Sequence, residues 1–146
     1  MDERFRTSLR VRFQETDQMG VVYHANYLSW FEVGRTALLR NWGMSYGELE
    51  RGGFLLPVVE AHCYYGAPAH YEDEIIIQTT IAEYSNVRLT FDYEVFHQDS
   101  GKRLMHGSTQ HAWVDATFRP INLRRKHPEL YQLLEQIYET GKGQAK

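Results

Sequence analysis

Apolar and polar residues alternate along several stretches of the chain, and this spacing of two is typical of β-strands with one buried face. The first such stretch is Thr7–Phe13, in which Leu9, Val11 and Phe13 share one face. Longer stretches follow at Phe54–Tyr65, Glu74–Glu83, Val87–His97 and Leu104–Asp115. Turn-forming residues lie at 85–86 and 99–102, between the last three stretches. The pattern therefore predicts five antiparallel strands, the last three forming a meander.

A different pattern separates the first strand from the others. From about Ala25 to Asn41 the apolar residues lie on most sides of a helix, and such a helix is usually buried. Two shorter helices are also predicted. One begins at the capping box formed by Ser45 and Glu48, and the other spans 129–140, after Pro128.

Together these elements predict an α+β fold, in which a five-stranded antiparallel sheet wraps one buried helix. The 146 residues suffice for a single domain, 1–146, with a core at about 5–118 and a C-terminal helical extension at about 128–140. Such a sheet keeps open edges. We therefore expect a dimer that continues the sheet across two chains.

Charge and composition exclude several classes of protein. The net charge of −3 and the pI of about 6.2 argue against nucleic-acid binding. The single cysteine, Cys63, excludes an internal disulfide framework. No apolar run approaches the roughly 20 residues needed to cross a membrane, and the charged N-terminus is unlike a signal peptide. We expect a cytoplasmic protein.

The segment before the long helix carries the chemistry. Asp17 is delivered to the start of a buried helix, where free N–H groups favour negative charge and can polarise a carbonyl oxygen. Gly20 permits an unusual backbone conformation or the close approach of a ligand. A carboxylate beside oxyanion donors is a minimal hydrolytic site. Two alternatives stay open: Asp17 as a capping acid, and the His24 side chain as a packing group.

Other candidate sites are less specific. Arg88 and the basic run Arg124, Arg125 and Lys126 are either solvated surface residues or phosphate ligands. No spacing of histidines, cysteines and acids is typical of a metal site, so we expect none.

The segment from Val11 to Leu39 resembles the signature of the hotdog-fold acyl-CoA thioesterases, in the hydroxybenzoyl-CoA thioesterase family and its bacterial acyl-CoA branch. The family pattern T-D-x-x-G-x-V-Y/F-H/x-x-x-Y is matched by Thr16, Asp17, Gly20, Val22, Tyr23, His24 and Tyr27. A second family segment is matched by Tyr65, Pro68, Ala69 and 71–74. The resemblance spans roughly residues 8–118.

The resemblance implies a hotdog fold that forms a dimer and often a tetramer, with active sites at the dimer interface. Asp17 would be the catalytic carboxylate, and the His24 N–H would polarise the thioester carbonyl, with a contribution from the His24 imidazole. Gly20 and Tyr23 would lie against the substrate. No metal or organic cofactor is implied, since CoA is part of the substrate. Phe13 departs from the pattern, because many relatives carry a tyrosine there.

The basic residues are candidates for CoA contacts by their chemistry alone: Arg88, Arg124, Arg125 and Lys126. Two other functions remain possible on the same fold. One is a protein that binds acyl-CoA without catalysis, and the other is a thioesterase for acyl carrier protein. The acyl group, fatty or aromatic, is left open by the sequence.

Overall fold

The computed structural model describes residues 2–144. Within that range, five strands and four helices follow one another along the chain: β1 (Arg6–Arg10), α1 (Asn26–Asn41), α2 (Tyr46–Arg51), β2 (Val58–Tyr65), β3 (Glu74–Tyr84), β4 (Arg88–His97), β5 (Arg103–Ala112), α3 (Leu123–Lys126) and α4 (Pro128–Gln144). The predicted α+β fold, with one long helix and five antiparallel strands, is confirmed.

The strands form a single sheet in the order β1-β3-β4-β5-β2. The meander of β3, β4 and β5 agrees with the alternation in the sequence. Strand β2 lies at the far edge, where it pairs with β5 and places Cys63 opposite Gly107. Strand β1 forms the other edge, beside β3. The outer side of β2 is therefore free to pair with another strand.

Helix α1 packs against one face of this sheet. Phe31 is fully buried and stacks on Tyr93 of β4, with ring centroids 4.1 Å apart. Gly34 lets the helix approach β3 closely, since a Cβ atom there would lie 2.5 Å from the Thr79 hydroxyl. Leu28 and Val33 remain 43% and 42% exposed, on the side of the helix that also carries the exposed Ser29 and Glu32.

Two predicted strand boundaries shift for local reasons. The first strand ends at Arg10, because Phe13–Glu15 form a 3₁₀ turn whose Glu15 carboxylate accepts a hydrogen bond of 2.8 Å from the Arg12 N–H. Strand β2 begins at Val58, directly after Pro57, which has no N–H to donate to a ladder.

The C-terminal region packs into the same core as the sheet. Its buried residues are Leu123, Leu130, Leu134 and Ile137. Helix α3 was not predicted from the sequence; the Asn122 side chain caps it by accepting a hydrogen bond of 3.1 Å from the Arg125 N–H. Among the described residues, no helix is long and apolar enough to cross a membrane.

Candidate active site

Asp17 lies in a tight hairpin between the first strand and helix α1. Thr16 and Val22 form an isolated bridge, and the Asp17 N–H donates to the Val21 carbonyl at 2.9 Å. The turn closes where the Gly20 N–H donates to the Asp17 carbonyl at 3.0 Å, with Gly20 at a φ of +80°. This left-handed conformation favours glycine, which explains why the turn needs Gly20.

The two carboxylate oxygens of Asp17 have different surroundings. Oδ1 accepts a hydrogen bond of 2.8 Å from the Met19 N–H, which fixes the orientation of the carboxylate. Oδ2 accepts none from residues 2–144. One oxygen is thus held by the turn while the other is available to a substrate or a water molecule.

Glu15 joins this loop to the long helix. Its buried carboxylate accepts a hydrogen bond of 2.9 Å from Trp30 Nε1, and its carbonyl accepts from the Tyr23 N–H and from Asn26 Nδ2 at 2.9 and 2.7 Å. These three hydrogen bonds fix the position of the Asp17 turn relative to the helix. The sequence alone assigned Glu15 no role; the only signal was an acid two residues before Asp17, in a polar segment.

The start of α1 offers an unused N–H group. No side chain caps the helix, and within the described part of the chain the His24 N–H donates to no acceptor. The peptide unit that carries this N–H is held in place, because its carbonyl, that of Tyr23, accepts a hydrogen bond of 2.9 Å from the Asn26 N–H. The following carbonyl, that of His24, accepts a hydrogen bond of 2.9 Å from the Tyr65 hydroxyl. A fixed peptide unit with a free N–H at a helix start is suited to bind a carbonyl oxygen.

Asp17 and His24 share one cleft of about 270 Å³. The lining is mostly apolar and aromatic, and consists of Asp17, Met19, Val21, Val22, His24, Tyr27, Tyr65, Gly66, Ala67 and Pro68. Burial raises the pKa of Tyr27, so this hydroxyl stays neutral. The structure thereby places the two predicted catalytic residues together.

Asp17 also lines a second, open cleft of about 530 Å³, formed with Phe13, Gln14, Thr16, Gln18, Gly20 and Tyr71. Phe13 is 71% exposed and meets Tyr71 edge-on, with ring centroids 5.6 Å apart. The predicted substrate residue Gly20 therefore lies at this cleft. Tyr71 was not predicted as a site residue, although it belongs to the second segment that resembles the family.

The other predicted substrate residues lie elsewhere in the chain. The Tyr23 ring packs against the His24 ring at 4.3 Å and is not part of either cleft wall. Arg88 begins β4, and the basic residues Arg124, Arg125 and Lys126 form α3. Both positions lie at the end of the sheet where β3 finishes. The Asp17 loop lies at the opposite end, because the Val22 N–H donates to the carbonyl of Ala69, in the segment that precedes β3.

We find no group of three or more histidine, cysteine, aspartate or glutamate side chains suited to hold a metal ion among the described residues.

Comparisons with known proteins identify the family of the chain. The model of the thioesterase-like superfamily matches residues 11–134. A Bacillus subtilis protein named "Putative acyl-CoA thioesterase YneP" is 38% identical over 128 residues, which are 87% of this chain and 92% of that protein. The crystal structure of DHNA-CoA thioesterase from Staphylococcus aureus superimposes with a TM-score of 0.89 at 32% identity, covering 97% of this chain and 94% of that one.

A second similar structure is a 1,4-dihydroxy-2-naphthoyl-CoA thioesterase from Synechocystis, with a TM-score of 0.79, 26% identity and coverage of 89% of this chain and 94% of that one. The chain belongs to the thioesterase-like superfamily. The predicted hotdog fold and the predicted class of thioester hydrolase are thereby confirmed.

Proposed function

We propose that the protein hydrolyses an acyl-CoA thioester to the free acid and CoA, with Asp17 as the catalytic carboxylate and the His24 N–H as the oxyanion donor. One observation carries the proposal. Asp17, whose carboxylate has one free oxygen, and His24, whose N–H is free at the start of the helix, line the same cleft. The names of the relatives support acyl-CoA as the thioester.

The chemistry follows from these two groups. The His24 N–H binds the thioester oxygen and stabilises the negative charge that develops on it. Asp17 then acts in one of two ways. Either its free oxygen attacks the carbonyl carbon, expelling the CoA thiolate and leaving an anhydride that water hydrolyses, or it removes a proton from the water that attacks. Both routes consume one water and need no metal or organic cofactor.

The lining and the volume of the cleft favour an aromatic acyl group over a long saturated chain. Tyr27 and Tyr65 meet edge-on at 5.5 Å, and the His24 ring lies 6.3 Å from Tyr65. Aromatic rings pack well against such edges and faces. A cleft of about 270 Å³ is also small for a long chain. Two structurally similar proteins are thioesterases of aromatic acyl-CoA, which adds support.

A homodimer, assembling further into a tetramer, is part of the proposal. Strand β2 is an eight-residue edge strand whose exposed side chains include Val58, Val59, Tyr64 and Tyr65. Pairing of two β2 strands would continue the sheet and cover the exposed side chains of this edge. Because Tyr65 ends β2 and lines the Asp17 cleft, the active sites would lie at this interface. We place the enzyme in the cytoplasm.

A thiol-release assay across short, medium, long and aromatic acyl-CoAs, with one acyl carrier protein thioester, tests the function. We expect the highest kcat/KM for an aromatic acyl-CoA. Asp17→Asn is the control; it should lower kcat at least about a thousandfold while the fold and the oligomeric state remain unchanged. Release from no substrate would favour a non-catalytic binding protein, and an active Asp17→Asn enzyme would exclude Asp17 as the catalytic group.

A further inference from the structure

A side-chain hydrogen bond joins the end of β2 to the start of the long helix. Tyr65, the last residue of β2, donates from its hydroxyl to the His24 carbonyl at 2.9 Å, across 41 positions of the chain. Tyr65 is itself paired with Met105 in the sheet. The bond therefore attaches the backbone of the candidate oxyanion donor to a strand of the sheet.

His24 lies between two peptide carbonyls that are held in different ways. The Tyr23 carbonyl accepts from the Asn26 N–H at 2.9 Å, in a local turn. The His24 carbonyl depends on the Tyr65 hydroxyl, and we find no second donor to it among residues 2–144. Without that hydroxyl, the peptide unit after His24 would be free to rotate toward water. Rotation of that unit changes the backbone dihedrals at His24, and through them the direction of its N–H.

The Tyr65 hydroxyl is in place before a substrate arrives. Its ring meets the buried Tyr27 ring edge-on, with centroids 5.5 Å apart, which restricts the direction of the hydroxyl. Partial burial and the nearby Cys63 side chain raise the pKa of Tyr65 to about 12, so the hydroxyl keeps its proton at neutral pH. A donor that is fixed in this way costs no reorganisation during the reaction.

The Tyr65 ring lines the Asp17 cleft, but its hydroxyl proton is already engaged by the His24 carbonyl. A hydroxyl has one proton to donate. The hydroxyl therefore acts on the reaction through His24 rather than on the substrate.

We propose that Tyr65 is a positioning residue, whose hydroxyl fixes the backbone at His24 so that the His24 N–H points at the thioester oxygen. This inference rests on the proposed thioesterase function. It adds a side chain of the sheet to a site whose two reacting groups come from the loop and the helix start.

The first experiment replaces Tyr65 by phenylalanine, which keeps the ring and removes only the hydroxyl. We expect kcat to fall about tenfold with KM for acyl-CoA within about twofold, because the His24 N–H acts on charge that develops in the transition state. Tyr64→Phe is the matched control. The Tyr64 ring belongs to the same strand but stacks on His106 at 4.8 Å, so its loss of a hydroxyl should leave kcat unchanged.

Three results of this comparison would overturn the proposal. One is an unchanged kcat in Tyr65→Phe, and another is an equal fall in both variants. The third is a rise in KM alone, which would assign the hydroxyl to substrate binding. Denaturation and the oligomeric mass are measured on both variants. A loss of stability or of the oligomer confined to Tyr65→Phe would assign the hydroxyl to the fold and also overturn the proposal.

The second experiment observes the thioester carbonyl directly. Benzoyl-CoA labelled with ¹³C at this carbonyl is bound to Asp17→Asn, and the carbonyl stretching frequency is measured by infrared difference spectroscopy. A hydrogen bond from the His24 N–H weakens the carbonyl bond, so we expect a lower frequency than in solution. Adding Tyr65→Phe should reduce this displacement, and adding Tyr64→Phe should leave it unchanged. Equal displacements in all three proteins would refute a positioning role.

Failure of the proposed function is seen separately from failure of this inference. It is seen as absence of turnover by the wild-type enzyme, or as an unshifted carbonyl frequency in Asp17→Asn alone. Either result overturns the His24 N–H as the oxyanion donor, and with it the role of Tyr65. A working enzyme with a shifted carbonyl, and with no effect of Tyr65→Phe on kcat or frequency, overturns only the inference.

Discussion

The Glu15 carboxylate accepts a hydrogen bond of 2.9 Å from Trp30 Nε1, although the two residues are 15 positions apart and both are buried. Its second oxygen accepts from the Arg12 N–H at 2.8 Å. Glu15 is therefore the polar anchor that attaches the Asp17 turn to the first turns of α1. The neighbouring acids thus have separate tasks: Glu15 holds the loop, and Asp17 faces the clefts.

Removing this anchor should destabilise the protein. Glu15→Ala leaves the buried Trp30 N–H without an acceptor, and we expect the free energy of unfolding to fall by about 3 kcal/mol. Glu15→Gln keeps one acceptor and should lose roughly half as much. Chemical denaturation at neutral pH measures both. Equal stability of the wild type and Glu15→Ala would mean that the loop is held by its backbone contacts alone.

Alternation and helical periodicity were enough to predict the strands β3 to β5 and helix α1, because both depend on spacing within a short stretch. The edge position of β2 was not specified, since the strand gives no local signal for which neighbour it joins. The placing of Asp17 beside the helix start could be predicted from their closeness in sequence. The Glu15–Trp30 bond could not, because it depends on how the loop folds back on the helix.

The Asp17 turn should be sensitive to the residue at position 20. Gly20→Ala forces a Cβ atom into a left-handed conformation, which costs about 1 kcal/mol of stability, although no atom lies within 4 Å of the new Cβ. We expect kcat to fall as well, because the turn that orients Asp17 is strained. Gly101→Ala is the matched control, at φ +71° in a hairpin and equally without close neighbours. Its stability loss should be similar, with kcat unchanged; equal kcat losses would show that the effect is not local to the site.

The His24 side chain should matter less than its backbone. His24→Ala keeps the N–H that binds the oxyanion and removes only the imidazole. We therefore expect kcat to fall about tenfold, far less than for Asp17→Asn. Steady-state thiol release compares the two variants. A loss as large as that of Asp17→Asn would make the imidazole an essential group, and full activity would restrict the role of His24 to its amide.

Tyr71 should supply the hydroxyl that Phe13 lacks. Both rings line the same cleft as Asp17 and are in contact, so a hydroxyl on either can serve that cleft. We expect Tyr71→Phe to lower kcat/KM about fivefold, comparable to the loss of one hydrogen bond. Phe13→Tyr in that background should restore most of it. Since both side chains are exposed, the free energy of unfolding should change little, and denaturation checks this. If Phe13→Tyr does not restore activity, a hydroxyl at position 13 cannot replace the one on Tyr71, and the prediction is wrong.

A buried chain of hydrogen bonds makes the stability dependent on pH. His111 Nδ1 donates to the Leu56 carbonyl at 3.1 Å, so in the neutral ring Nε2 must accept from the Thr109 hydroxyl at 2.8 Å. Thr109 Oγ1 then accepts from the Tyr93 hydroxyl at 2.6 Å. A proton on Nε2 would break this order. Burial, together with the charge of Arg35, lowers the pKa of His111 to about 4.

The sign of the effect follows from this shift. Because the pKa in the folded state is below the ordinary value of about 6.5, the unfolded chain binds more protons between these limits, and stability falls as the pH drops from about 6.5 to about 4. Between pH 7 and pH 5 this one residue should remove about 2 kcal/mol from the free energy of unfolding. His111→Gln keeps a polar side chain that does not titrate, so its loss over the same interval should be smaller by that amount. Urea denaturation at pH 7, 6 and 5 compares the two slopes, and parallel slopes would show that His111 takes up its proton equally in the folded and unfolded states.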